Sequence, residues 1–333
     1  MPMQGLPDWN AVRYDSQKPQ GHVESYFVKA NDAEGRRALW LKATIIASCA
    51  RPAHAMAEAW AIVFDRHGSH TAVKEAIPFG EASFSRDGLA IDVGRFLHLD
   101  PDGSRGAIGR AEQEITWDLR WTRHGEALIH FPLEAMYTGT FPKSKLVSPF
   151  PDLRVEGTVS VNGQSLDLSG WRGMQGHNWG RGHADVYAWG HCNQWEQDVD
   201  TMVEAVSARV RVGPVLTPLL TMVCVRHLGQ EYLFTGPRHL VTNRGEVHPR
   251  RWFFGAKHRG ICIEGDFSAQ TDDLVGLYYP NPDGSMTYCL NTKIGHGRLR
   301  LELPGQDPVD LTSKSAALEL GTKDPAHGVR MYV

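Results

Sequence analysis

Three glutamates of this sequence fall on faces that otherwise read as apolar: Glu75, which lies with Val73 and Ile77 in segment 71–77, and two in more aromatic or longer segments. In the alternating segment 57–65, Glu58 shares a face with Trp60, Ile62 and Phe64. In segment 201–212, Glu204 shares one with Met202, Val206, Ala208 and Val210. Successive side chains of a strand point to opposite faces, so residues two apart lie together. A carboxyl group held among apolar neighbours tends to keep its proton toward neutrality. Any of the three could then act as a general acid or base. The plainer reading of each is a buried glutamate paired with a cation such as Lys74 or Arg209, or a register that turns it outward. Glu204 is the better placed, because it follows an aromatic segment across an expected hairpin at 196–200.

That aromatic segment is the second feature. Ten tryptophans are many for this length, and Trp171, Trp179, Trp189 and Trp195 fall within 25 residues. Read as a strand over 186–195, one face carries Tyr187, Trp189, His191, Asn193 and Trp195, and the other Ala188, Gly190, Cys192 and Gln194. Large aromatic rings with a few hydrogen-bonding groups suit a pocket for an apolar ligand. They could equally fill a barrel core with their polar tips tied to backbone. The stretch before it places His177 and Trp179 among Gly173, Gly176, Gly180 and Gly182, which suits a tight connection at a barrel mouth. His177 and His191 are candidates to orient or polarise a substrate. His177, His183, His191 and Glu204 could be imagined around a metal, but their spacing matches no compact ligand motif, and no metal is expected.

The elements that must hold these residues are mostly short β-strands. Apolar and polar residues alternate over about 17 segments separated by Gly, Pro, Asn and Asp. Asn162-Gly163, Asp283-Gly284, Asp87-Gly88 and Asp102-Gly103 read as hairpin turns. Segment 137–152, rich in Pro, Ser and Lys, reads as a linker or lid. An all-β chain is expected, in two units, 1–170 and 171–333. The chain has 333 residues, enough for two domains of ordinary size, and 41% of them are hydrophobic. A net charge of −3 gives no electrostatic footprint for nucleic acid. No run reaches the roughly 20 apolar residues of a membrane helix, and the first ten residues lack a signal-peptide pattern, so a cytoplasmic protein is expected. Five scattered cysteines without a CxxC pair suggest reduced thiols. Nucleotide-binding and GxSxG motifs are missing, so any chemistry is expected to use side chains without a cofactor.

The motif Gly176-His177-Asn178-Trp179-Gly180, with Trp189-Gly190-His191 after it, resembles the lipocalin-like proteins related to carotenoid 1,2-hydratase (hydroxyneurosporene synthase), AttH-like proteins and tocopherol cyclase. Gly176 stands where an Asp is common in that group. Glu58-Ala59-Trp60 followed by Lys74-Glu75 also looks like the first barrel of such proteins, and the resemblance spans about residues 20–330. It implies two consecutive lipocalin-like (calycin) antiparallel β-barrels, an apolar pocket and no redox cofactor. It also implies hydratase, isomerase or cyclase chemistry on a terpenoid or polyketide-like molecule. Glu58 or Glu204 would be the acid–base group. Trp60, Trp179, Tyr187, Trp189, Asn193 and Trp195 would line the substrate. A non-catalytic carrier of an apolar ligand is the alternative.

Overall fold

The computed structural model describes residues 8–110, 112–197, 200–212 and 215–333. Residues 1–7 and residues 198 and 199 of the expected 196–200 hairpin therefore lie outside the described residues. Among the described residues the chain is all-β apart from four helices of one or two turns, and it forms two large antiparallel sheets. The first runs Thr71–Pro78, Met56–Asp65, Arg37–Ala47, His22–Asn31, Trp171–Gly180, Ser144–Val161, Gln113–His124, Gly103–Arg110, Leu97–Asp100, Ile91–Val93, Ala82–Phe84. The second runs Gln230–Phe234, Leu220–His227, Thr201–Arg209, Val186–Cys192, Val309–Thr322, Met286–Glu302, Ile261–Ser268, Arg251–His258, Arg244–His248.

Each sheet curls around its own core. In the first, Ala57, Ala59, Ala61 and Val63 point inward and meet Trp117, Leu119 and Leu153 from the far strands. In the second, Val203 and Ala205 meet Trp252, Phe254 and Phe267. The other face of Met56–Asp65 bears Trp60, Ile62 and Phe64, which pack with Phe27 and Trp40 against Trp189, Leu277, Tyr279 and Ile294 of the second sheet. A third core thus lies between the sheets, and the strand Met56–Asp65 gives it its larger side chains. Burying such aromatics is worth about 1.5–3 kcal/mol apiece.

Three expectations need correction. The glycine-rich stretch is not a connection at a barrel mouth: Trp171–Gly180 is a central strand of the first sheet, between His22–Asn31 and Ser144–Val161. Its glycines serve close packing, since a Cβ at Gly176 would lie 2.3 Å from the Phe27 ring. The expected division at 170/171 would assign this strand to the second unit, whereas the chain leaves the first sheet after Gly180 and enters the second at Val186. Segment 137–152 ends a short helix, Ala135–Thr138, and then becomes the start of the long strand Ser144–Val161. Of the turns, Asn162-Gly163 has both residues at positive φ, as a tight hairpin requires. At Asp102-Gly103 the turn is shifted by one: Asp100 pairs with Gly103, so Pro101 and Asp102 form its tip.

Candidate active site between the sheets

A cavity of about 210 Å³ opens between the sheets. Phe27, Trp40, Lys42, Leu146, Ser148, His177 and Trp179 reach it from the first sheet. Tyr187, Trp189, Glu204, Val206, Met222, Tyr279 and Glu319 reach it from the second. Phe131, Met136 and Phe141, from the segment that precedes Ser144–Val161, add to its wall.

Glu204 and Glu319 are both carboxylates of that wall, and Glu319 is paired with Lys293 at 2.7 Å. Alternation along Thr201–Arg209 sends Val203 and Ala205 into the second core and Glu204 and Val206 toward the cavity. Glu204 Oε1 accepts from Trp189 Nε1 at 2.9 Å and its Oε2 from Ser148 Oγ at 2.7 Å. His130 Nε2 lies 3.2 Å from Oε1, but neither ring nitrogen of His130 makes a directed hydrogen bond among the described residues. That contact is charge attraction more than a hydrogen bond. Burial alone would raise the Glu204 carboxyl. The attraction of the neighbouring His130 ring and the Ser148 hydroxyl outweigh it and pull the group down to about 2. This reverses the expectation of a proton-holding glutamate: donors aimed at a carboxylate favour its charged form. Glu204 is therefore a base at neutral pH.

The remaining expected residues divide by position. Tyr187 and Trp189 line the cavity with Glu204, as expected from their shared face. Trp179 lines it too, 6.0 Å from the Tyr137 ring and capped by Arg13 at 5.0 Å. His177 borders it, yet both its nitrogens are engaged: Nδ1 with the Trp9 carbonyl at 2.6 Å, Nε2 with Glu24 Oε1 at 2.9 Å. Its ring is also stacked on Tyr26 at 4.0 Å. Glu24 further accepts from His22, Tyr26 and the backbone of Arg13 and Tyr14. Burial opposes its charge, but the bonds from His177 and His22 hold the carboxyl well below the usual carboxylate range. Glu24–His177 thus closes off the N-terminal segment and leaves no ring nitrogen for a substrate.

Other expected residues lie apart from the cavity. His191 is buried with Nε2 on the Pro151 carbonyl at 3.0 Å and Nδ1 unpartnered among the described residues. Burial, with Lys29 adding to it, lowers its pKa to about 3, so it stays neutral. Asn193 bridges the sheets, donating to Asp152 Oδ1 at 2.7 Å and the Gly173 carbonyl at 2.9 Å. Trp195 does not share the face of Trp189. The strand ends at Cys192, the alternation lapses, and Trp195 packs with Ala188 and Cys192 in the second core. Glu58 accepts from Trp60 Nε1 at 3.1 Å and pairs with Lys74 at 3.4 Å. Glu58 and Trp60 border a small recess behind Lys42 and not the main cavity. Among the described residues no group of three or more His, Cys, Asp or Glu side chains is arranged to hold a metal ion.

Sequence reading missed His130, Ser148, Lys42 and Glu319. His130 sits in the apolar run Leu128-Ile129-His130-Phe131, and Lys42 on a buried strand face beside Trp40. A polar residue amid such a run was the available signal in both cases. Ser148 lay in a segment whose prolines masked a strand.

The profile of tocopherol cyclase-like proteins matches residues 152–322, more than half of the chain. The protein belongs to the tocopherol cyclase-like family. Uncharacterized proteins of two Mycobacterium tuberculosis strains are 25% identical over 328 residues, covering 96% of this chain and 91% of theirs. An AttH-assigned protein of Nitrosomonas europaea superposes with a TM-score of 0.58 at 14% identity, covering 94% of this chain and 98% of its own. CghA gives a TM-score of 0.58 at 9% identity, over 91% of this chain and 88% of its own. Kievitone hydratase from Nectria haematococca gives 0.55 at 11% identity, over 94% of each chain. These structures share the fold, and the architecture of this family member is lipocalin-like as the sequence motif implied. Among the described residues no helix is long and apolar enough to cross a membrane.

Proposed function

We propose that this protein is an enzyme that shifts a proton on an apolar small molecule held between the two sheets, with Glu204 as the general base. The observation that carries this reading is a desolvated, ionised carboxylate in an aromatic cavity wall. Its hydrogen bonds come from an indole and a hydroxyl, Trp189 Nε1 and Ser148 Oγ, and among the described residues no lysine or arginine pairs with it. A carrier needs only the apolar wall, and burying a charge there costs stability without serving the ligand.

The reaction class we infer is hydration, isomerisation or ring closure of a terpenoid or polyketide-like compound. Glu204 takes a proton from a water or substrate hydroxyl as that oxygen attacks an alkene carbon. The carboxylic acid so formed returns the proton to the neighbouring carbon, which holds the electron pair displaced from the alkene, so that Glu204 ends the cycle as the carboxylate and no charge is left on the product. No hydride or electron changes hands, so protein side chains suffice and no cofactor is required. The family's cyclase-like description and the hydratase among its structural neighbours support chemistry of this kind.

The test begins with mass spectrometry of small molecules that co-purify with the protein, followed by turnover of the compound found. Glu204→Gln keeps the shape and should lower kcat by about 10²–10⁴-fold, the usual contribution of a general base, with ligand affinity within about threefold. Undiminished turnover by Glu204→Gln would remove Glu204 from the chemistry.

A further inference from the structure

Among the described residues, Lys42 is a buried lysine with no ion-pair partner. It lies on the Arg37–Ala47 strand, 5% exposed, and its side chain reaches the wall of the cavity. Its Nζ stands 3.9 Å from the centre of the Tyr279 ring, 5.4 Å from that of Trp60 and 5.6 Å from that of Trp40. Among the described residues it makes no ion pair or hydrogen bond. The acids nearby are already taken: Glu319 by Lys293 at 2.7 Å, and Glu58 by Lys74 at 3.4 Å. His183 borders the same part of the wall and is kept neutral by burial. An ammonium removed from water gains from three aromatic faces, but these do not supply the negative charge that a buried cation ordinarily has.

We propose that Lys42 is the anion-binding residue of the cavity, so that the natural substrate is an apolar molecule bearing an acidic oxygen, a carboxylate or enolate, which seats on its ammonium. This deepens the proposed function and rests on the apolar-cavity reading. Lys42 and Glu204 come from different sheets and line one cavity with opposite charges. A substrate anchored by its anionic end at Lys42 is oriented before its reacting carbon meets Glu204. Burial lowers Lys42 to about 8, so the amine is still largely charged at neutral pH, and an anion would hold it so.

The experiment uses octanoate and 1-octanol, matched in chain and different in charge, titrated calorimetrically into the full-length protein at neutral pH. The wild type should bind octanoate about tenfold or more tightly than the alcohol, a difference of about 1.4 kcal/mol. Lys42→Met should abolish that preference and leave octanol affinity unchanged, and Lys42→Arg should retain part of it. Equal binding of the two ligands by the wild type overturns the proposal and leaves the apolar cavity standing, whether or not Lys42→Met folds. A preference that survives Lys42→Met but falls with Lys143→Met, at the cavity mouth, also overturns it. Failure of both ligands to bind overturns the apolar-cavity reading itself.

Discussion

Trp189 sets the chemistry of its neighbour as much as it shapes the cavity. Its indole N–H is a donor that cannot become an acceptor, so it favours Glu204 as the carboxylate and disfavours the acid. Trp189→Phe should therefore raise the Glu204 pKa from about 2 toward the ordinary value of 4.5. A base works only when deprotonated, so the acidic limb of the kcat profile should move to higher pH. An unmoved limb, measured once a substrate is in hand, would mean that the indole does not govern this carboxylate. Glu204 and its aromatic partners were legible because strand alternation is strict and Glu204 interrupts an apolar face. Its ionisation was not legible. The sequence shows that a glutamate is buried, but the groups that reverse the effect of burial, the Ser148 hydroxyl and the His130 ring, lie far away along the chain.

At the scale of elements, the cavity depends on strands that lie very close together. Trp171–Gly180 can sit beside His22–Asn31 with Phe27 folded over it only because position 176 has no side chain. Gly176→Ala should destabilise the protein by about 1–3 kcal/mol through overpacking, and Phe27→Leu in the same chain should recover part of the loss. Urea denaturation of the single and double variants checks this, and strict additivity would rule out the contact as the cause. The motif around His177 marked the family correctly, yet its glycines concealed a strand, because glycine density reads as turn. Val309–Thr322, central to the second sheet, was also not anticipated, although Val309, Leu311, Ala316, Leu318 and Leu320 are all core-facing. Alternation failed in the opposite sense at Trp195, where a strand assumed to continue stops at Cys192.

Across the whole molecule, the two curled sheets are joined by a layer that buries charged and titratable groups, among them Lys29, Lys42, Lys293, His191 and Glu204. This layer makes stability depend on pH well above the carboxylate range. Burial lowers His183 to about 4 and His191 to about 3, from 6.5. In each case the unfolded chain binds the proton more readily, so the stabilisation is fully present above pH 6.5 and is lost as pH falls toward those values. By about pH 5 each histidine should cost about 2 kcal/mol. The urea midpoint should fall between about pH 7 and about pH 5, and His183→Gln, which keeps a donor for Asn281, should make the decline shallower. A midpoint flat over that interval would mean that these rings are not held neutral. The two-sheet, all-β architecture was readable from turn spacing and period-two patterning. The location of the pocket was not, because the same alternation describes a side chain pointing into its own barrel and one pointing toward the neighbouring sheet. The large face of Met56–Asp65 takes the second course.

A reaction site between the sheets, with Glu204 at its wall, is tested most directly by a crystal structure of the Glu204→Gln variant with the co-purified compound bound. The expected result is a ligand enclosed by both sheets, its reacting atom within about 3.5 Å of the substituted side chain at position 204. A ligand seated inside either curled sheet, away from Trp189 and Trp179, would contradict it.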